Sequence, residues 1–351
     1  MLEDQYGNNI LKAYFNNSSN TKNTFQSTVL STFLNNKEIK RGGKMDIKNL
    51  LTSDEIAFFT KKSDLTGFRI VAFNWLLIAA AFAIAGIWPS PVTIFISVLL
   101  LAGRQLGLSI LMHECGHRCL FKDKTLNEKI GRWLTSAPLF LDMNSYAKGH
   151  LVHHRKAGTK EDPDLGNYQN YPIPRASLQR KFWRDITGQT ALRLITAARK
   201  NKGNVMNSPD RAADTVVSRA NTTMQDGLIV NAALFLVLTL FGASWLYLLW
   251  VVAYLTFYML FLRIRQIGEH AAVPDLFNSD PRLNTRTTYA NIIERLLFAP
   301  NRVNFHLEHH ILASVPIYHL KAFHDHLRHK GAYQNTEIAS SYMAVLRHVT
   351  T

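Results

Sequence analysis

The stretch GLIVNAALFLVLTLFGASWLYLLWVVAYLTFYMLFL, residues 227–262, holds no charged side chain. As one helix it would run ~54 Å at 1.5 Å per residue, far beyond the ~30 Å hydrocarbon core of a bilayer. It must fold back, and Gly242-Ala243-Ser244 supplies the turn. A second charge-free run, between Arg69 and Arg104, breaks at Trp88-Pro89-Ser90-Pro91, where proline removes a backbone donor and disfavours helix at the residue before it. The two runs predict four spans, near 68–88, 92–112, 227–241 and 245–262. Buried helices of a large soluble protein would explain one such run more easily than two of double length. The expected fold class is an all-α integral membrane protein, with four transmembrane helices in two hairpins and a helical cytoplasmic cap.

Average composition hides this pattern. The 351 residues are 47% hydrophobic with a mean hydropathy of −0.05, which on its own suggests a soluble chain. Both hairpin tips lack Lys and Arg, so both termini and the polar segments are expected on the cytoplasmic side, of a bacterial inner membrane or the endoplasmic reticulum. A net charge of +15 suits anionic lipid headgroups or an acidic protein partner. No nucleic-acid-binding motif accompanies it, so nucleic acid is not an expected partner. Cys115 and Cys119, one turn apart on the reducing side, imply no disulfide. Residues 1–44 have the composition of a disordered extension and 45–67 read as an amphipathic segment, with Met45 an alternative start. The membrane domain with its cap is expected over 68–331 and a tail over 332–351. Trp133–Leu141 is too short to span and reads as a helix at the interface that roofs a substrate tunnel. Arg104 is costly at its depth unless it snorkels or faces the bundle interior.

Nine of the fourteen histidines fall into four clusters: His113-Glu-Cys-Gly-His117, His150-Leu-Val-His153-His154, Gln266-Ile-Gly-Glu-His270 and His306-Leu-Glu-His309-His310. Residues three and four apart share a helix face, so each cluster is expected to present its imidazoles to one point. Neutral imidazole is the commonest protein metal ligand, and nine are too many for one ion. A tetrahedral zinc takes three or four, whereas two irons with four or five nitrogens each use the whole set. His319, His324, His326, His329 and His348 show no such grouping and are expected to be solvated. His113-Glu114-Cys-Gly-His117 also matches the H-E-x-x-H signature of zinc metalloproteases. That reading leaves most of the clustered histidines without a role and makes Glu114 a general base rather than a supporting or solvent-facing residue.

In their order and spacing these boxes resemble the integral-membrane fatty acid desaturase and hydroxylase superfamily, defined by H-x(3–4)-H, H-x(2–3)-H-H and a late H/Q-x(2–3)-H-H. The resemblance covers roughly Phe68 to Leu327. It implies a non-haem di-iron centre in the cytoplasmic cap, held by His113, His117, His150, His153, His154, His306, His309 and His310. Stearoyl-CoA desaturases add a histidine after the fourth span and an amide one turn earlier that reaches the site through water. His270 and Gln266 match these two positions, with Gln in place of Asn. The resemblance further implies two iron ions, O₂ as co-substrate, and desaturation of a lipid-linked acyl chain, with no catalytic residue beyond the iron ligands. The stretch from His154 to Asp164 is also similar to carotenoid ketolases, so hydroxylation or ketolation of a lipid or carotenoid is the alternative outcome. Asp162, Asp164, Glu269 and Glu308 are expected as acceptors that fix ligand tautomers. No His-Pro-Gly-Gly motif is present, so electrons are expected from a separate ferredoxin or cytochrome b5 type donor.

Overall fold

The computed structural model describes residues 50–200, 221–334 and 336–351. The expected extension, 1–44, and the start of the 45–67 segment lie outside these residues. Helix α1, Ser53–Phe59, opens on a capping box in which the Thr52 and Glu55 side chains each satisfy the other's backbone N–H. Helix α2, Asp64–Ile87, is capped by Ser63 and stops ahead of Pro89. Helix α3, Pro91–Gly116, begins at Ser90 with proline in its first turn, where a missing N–H costs nothing. Helix α4, Lys124–Ile130, runs into a π-helical turn at Gly131–Ser136 and a 3₁₀ turn at Ala137–Leu139. Helices α5 (Met143–Lys156), α6 (Arg175–Ile186) and α7 (Gln189–Lys200) follow. Helix α8, Asn221–Leu240, is separated from α9, Leu246–Leu255, by a turn in which Gly242 has φ 69°, a conformation glycine adopts without strain. Helix α10, Phe257–His270, continues from α9 past a break at Thr256. The remaining helices are α11 (Pro281–Asn284), α12 (Ile292–Leu297), α13 (His306–Ile311), α14 (Leu320–His329) and α15 (Tyr342–His348). Strand β1, Thr287–Thr288, pairs in parallel with β2, Ile338–Ala339.

Four helical stretches are long and apolar enough to cross a membrane: Asp64–Ile87, Pro91–Gly116, Thr223–Leu240 and Leu246–His270. The second and fourth run on beyond the ends read from the sequence, to 116 rather than 112 and to 270 rather than 262. Charge was a poor stop signal there because the charged groups are paired inside the fold. Arg263 makes two hydrogen bonds to the buried Asp185, at 2.5 and 2.9 Å, and Arg265 Nε donates to Glu269 Oε1 at 2.7 Å. These extensions carry His113 and His270 away from the apolar layer.

Helix α3 is the axis of the packing: 72% of its apolar window is buried, against 33% for α2 and 28% for α8. It contacts α2, α9, α10 and α12. The outer helices turn large apolar side chains such as Leu76, Leu236 and Leu240 outward, the pattern of a protein solvated by lipid. At mid-length α3 carries Gly103 and Gly107, where neighbours approach closely: a Cβ on Gly103 would sit 2.3 Å from the Leu296 carbonyl oxygen, and one on Gly107 2.4 Å from Asn74 Oδ1. Between them Arg104 faces the interior. Its guanidinium donates to Asn74 Oδ1 at 3.1 Å and to the Leu296 carbonyl at 2.6 Å, so α2 and the α12 segment are tied to α3 through one buried cation.

Two regions differ from their sequence reading. Residues 332–351, read as a tail, form β2 and α15 and bury Tyr342 and Val349, with α15 packed on α10. The 133–141 stretch is a π turn followed by a 3₁₀ turn rather than a surface helix, and it buries Thr135, Ser136, Ala137 and Leu139.

Gly103→Ala is expected to destabilise the protein by about 1–3 kcal/mol, because the Leu296 carbonyl is backbone and cannot swing aside. Gly149→Ala, in α5 with nothing within 4 Å of the new methyl, is the control and is expected to be neutral or slightly stabilising. Thermal unfolding of both variants in detergent checks the pair.

Candidate metal centre

Nine histidines converge at the end of α3 and α10, in two groups. His113, His117, His150, His154 and His309 form one, and His153, His270, His306 and His310 the other; within each, one nitrogen per residue lies within 4.8 Å of all the rest. The sequence pointed to these nine residues but not to their division. Each His-x-x-His-His box is split: His150 and His154 join the first group and His153 the second, while His306 and His310 join the second and His309 the first. Helical geometry explains the split. At about 100° per residue, the histidine four positions on lies about 40° to one side of the first and the histidine three positions on about 60° to the other, so a box at the boundary serves both sides. The expectation that each box faces one point is corrected accordingly.

The approach of the nitrogens tests whether a cation fits. His113 Nε2 lies 2.7 Å from His150 Nε2, and His154 Nε2 lies 2.9 Å from His150 Nε2 and 3.0 Å from His309 Nε2. In the second group His306 and His270 bring their Nε2 atoms to 2.9 Å, and His153 and His310 to 3.3 Å. Nitrogens ~2.1 Å from one ion at right angles to each other are about 3.0 Å apart, so these spacings are those of ligands sharing a metal. Tautomers strengthen the point. His270 Nδ1 donates to the Asn284 carbonyl at 3.0 Å and His306 Nδ1 faces Glu269 Oε1 at 3.5 Å, which leaves two lone pairs opposed across 2.9 Å. His117 Nε2 is buried with no hydrogen-bond partner. A cation between these atoms removes both penalties, and the all-imidazole donor set suits iron, zinc or copper.

Carboxylates surround the imidazoles. His153 Nδ1 donates to Asp162 Oδ1 at 2.8 Å, and Asp164 stands 3.8 Å away. Asp162 is itself held by a very short hydrogen bond from Tyr168, whose ring stacks on His270. His113 Nδ1 contacts Glu114 Oε1 at 3.2 Å, while Glu114 Oε2 accepts the Ile317 N–H at 3.1 Å. Glu114 is therefore buried behind its histidine rather than solvent-facing, and it is engaged away from the nitrogens, unlike the general base of an H-E-x-x-H protease. Glu308 is a correction: it reaches none of the nine imidazoles. It accepts from His324 Nδ1 at 2.7 Å, from Tyr333 at 2.5 Å and from Thr287. His324 and His326 are likewise buried instead of solvated, the latter bonded to Glu55 at 2.9 Å, and His319 Nδ1 is bonded to the Phe59 carbonyl. The His324 and His326 pairings join α14 to α13 and α1, so nothing adjacent to either histidine in sequence signalled them. His329 and His348 are exposed.

Burial holds the His117 imidazole down to about 4 and, with the charges of neighbouring histidines, His154 down to about 2. Both are neutral at physiological pH and ready to ligate. His153 differs. Burial pushes it down, but the Asp162 hydrogen bond and the charges of Asp164, Asp162 and Glu269 outweigh this and raise it.

A cavity opens against both groups, lined by His150, His153, His270 and His306 together with Tyr146, Tyr168, Arg265, Gln266, Met112, Leu141 and Leu262. Gln266 lines the same wall, and Leu141 is the part of the 133–141 stretch that touches the cavity. Tyr146 and Arg265 carried no sequence signal beyond lying one turn from His150 and Glu269.

The fatty acid desaturase family model matches residues 88–342, which include all nine histidines. Among curated proteins, the dihydrorhizobitoxine desaturase of Bradyrhizobium elkanii is 27% identical over 237 residues, 64% of this chain and 64% of that protein. A delta(12) fatty acid desaturase of Mortierella isabellina is 36% identical over 52 residues, 15% of this chain and 13% of that one. The chain therefore matches less than two thirds of the length of either relative.

Asp162→Asn is expected to weaken metal binding at the second group about 10–100-fold while sparing the first, measured by metal retention against a chelator series. In an acid titration the second group should release its ion first. The raised His153 takes up a proton at higher pH than His117 or His154 does, so proton competition begins there. Simultaneous release from both groups would contradict this assignment.

Proposed function

The chain belongs to the fatty acid desaturase family, and we propose that it is an O₂-dependent di-iron oxidoreductase that introduces a double bond into a lipid-linked acyl chain. The observation that carries this reading is the pair of buried imidazole groups, five and four strong, set side by side with two boxes shared between them. A mononuclear zinc site has no use for nine donors. An unactivated methylene offers an enzyme nothing to protonate or attack, so iron and O₂, when bound, supply the oxidising power.

The chain's own residues then have three tasks. The nine histidines hold the ions, one group each. Asp162, Glu114, Glu269 and the Asn284 carbonyl take the outward Nδ1 protons or face them, which keeps Nε2 lone pairs pointing inward. The cavity wall places the substrate against both groups at once. The four apolar helices pair as two hairpins in this reading, with both termini and the histidine cap on the cytoplasmic side, where the basic surface docks a separate ferredoxin or cytochrome b5 type electron donor.

Metal analysis of protein purified from an iron-replete host is expected to find one iron for each of the two groups. One zinc and no iron would remove the oxygenase reading. Lipid analysis of a host expressing the wild type should show a new unsaturated species that is absent with His153→Ala; an unchanged inventory in the presence of bound iron would rule out an acyl-lipid substrate.

A further inference from the structure

The cavity at the two histidine groups is not the apolar tube that a bare methylene chain needs. Among the described residues Arg265 is the one Lys or Arg on its wall, beside Tyr146, Asn167, Tyr168, Gln266 and the carboxylates of Asp164 and Glu269. Arg265 Nε is committed to Glu269 Oε1 at 2.7 Å, and among the described residues the guanidinium makes no other hydrogen bond. Its remaining N–H groups form a fork with open positions. Tyr146 is similar: its ring stacks on His150 at 5.4 Å, and its hydroxyl makes no hydrogen bond among the described residues. A saturated chain drawn through here would strip water from these groups and return no hydrogen bond, so each would be left with its desolvation uncompensated.

From this wall we infer that the cavity receives the polar end of the substrate, an oxyanion such as a carboxylate or phosphate, on Arg265 and Tyr146. The inference rests on the two histidine groups being the reactive centre. A guanidinium engaged along one edge by Glu269 still presents donors to a second oxyanion, and a phenol supplies a third. Glu269 partly neutralises Arg265 and also faces His306, so the anion is drawn in by donors in a fixed arrangement more than by net charge. The consequence is a substrate class. The carbon–hydrogen bonds attacked lie close to an anionic group, either in a small free acid or at the head of a lipid-borne acid, and not deep in an unfunctionalised chain.

The test uses the full chain in phosphatidylcholine nanodiscs, comparing wild type, Arg265→Gln and Tyr146→Phe. Hexanoate and hexan-1-ol are titrated in solution, and palmitate is titrated through the bilayer, with binding read from the shift in thermal unfolding and metal content measured on every sample. Hexanoate is expected to bind the wild type at least tenfold more tightly than hexan-1-ol does, and to lose that advantage in Arg265→Gln and part of it in Tyr146→Phe. If palmitate alone shows the pattern, the anion is lipid-borne and the inference stands. Equal binding of acid and alcohol overturns it. So does acid binding that is unchanged in both variants or that simply follows the metal content, since the carboxylate is then a ligand of the ion. Should Arg265→Gln lose metal through Glu269 and His306, Tyr146→Phe decides. Wild-type protein without iron would defeat the desaturase reading, while its hexanoate titration would still report on Arg265.

Discussion

Opposed lone pairs are the constraint on which this structure turns. Nine imidazoles are drawn together out of water, and several of their Nε2 atoms lie about 3 Å apart. Where Nδ1 is turned outward on both rings, as in His270 and His306, the arrangement repels itself until a cation lies between them. Holding it together requires rigid supports from several directions, and the fold provides them. Helix α3 brings His113 and His117, α5 brings His150, His153 and His154, α10 brings His270, and α13 brings His306, His309 and His310. Since α3 and α10 both run on from the apolar stretches, the latter past its break at Thr256, the site is built on the same helices that anchor the protein.

The supports are polar and buried, so each has to be matched. Arg104 binds α2 and the Leu296 carbonyl to α3, Arg263 binds α6 to α10 through Asp185, and Glu308 gathers His324, Tyr333 and Thr287 behind the third box. Removing one partner from any of these would leave a buried charge or donor unpaired, which costs more than the intact pair contributes. Helix α15 is held by contacts of its own. Tyr342 accepts no exposed position: its ring sits against Phe298, and its backbone N–H donates to Glu294.

Much of this was legible from residue order alone. Two charge-free runs broken by Pro89 and Gly242 foretold four apolar helices, the box spacings singled out eight of the histidines that converge, and the position of His270 after the fourth span added the ninth. Legibility failed where a side chain's partner is remote in the chain. Glu308 looked like a support for its own box because it lies between His306 and His309, yet a helix turns it away from them and toward His324. His324 and His326 looked solvated because nothing nearby in sequence pairs with them, and their partners came from α13 and α1. Arg263 and Arg265 looked like the end of a span because a charge without a visible partner belongs in water.

The sequence by itself determined the helical class, the number of apolar stretches, the number of imidazoles and the chemistry they permit, because these depend on local periodicity and residue type. Only the tertiary structure decided that the second and third boxes divide between two groups, that carboxylates hold particular Nδ1 atoms, and that Arg265 and Tyr146 face the cavity. Those facts depend on where helices cross and how each is rotated about its axis, and rotation by a fraction of a turn sends neighbouring histidines to different groups.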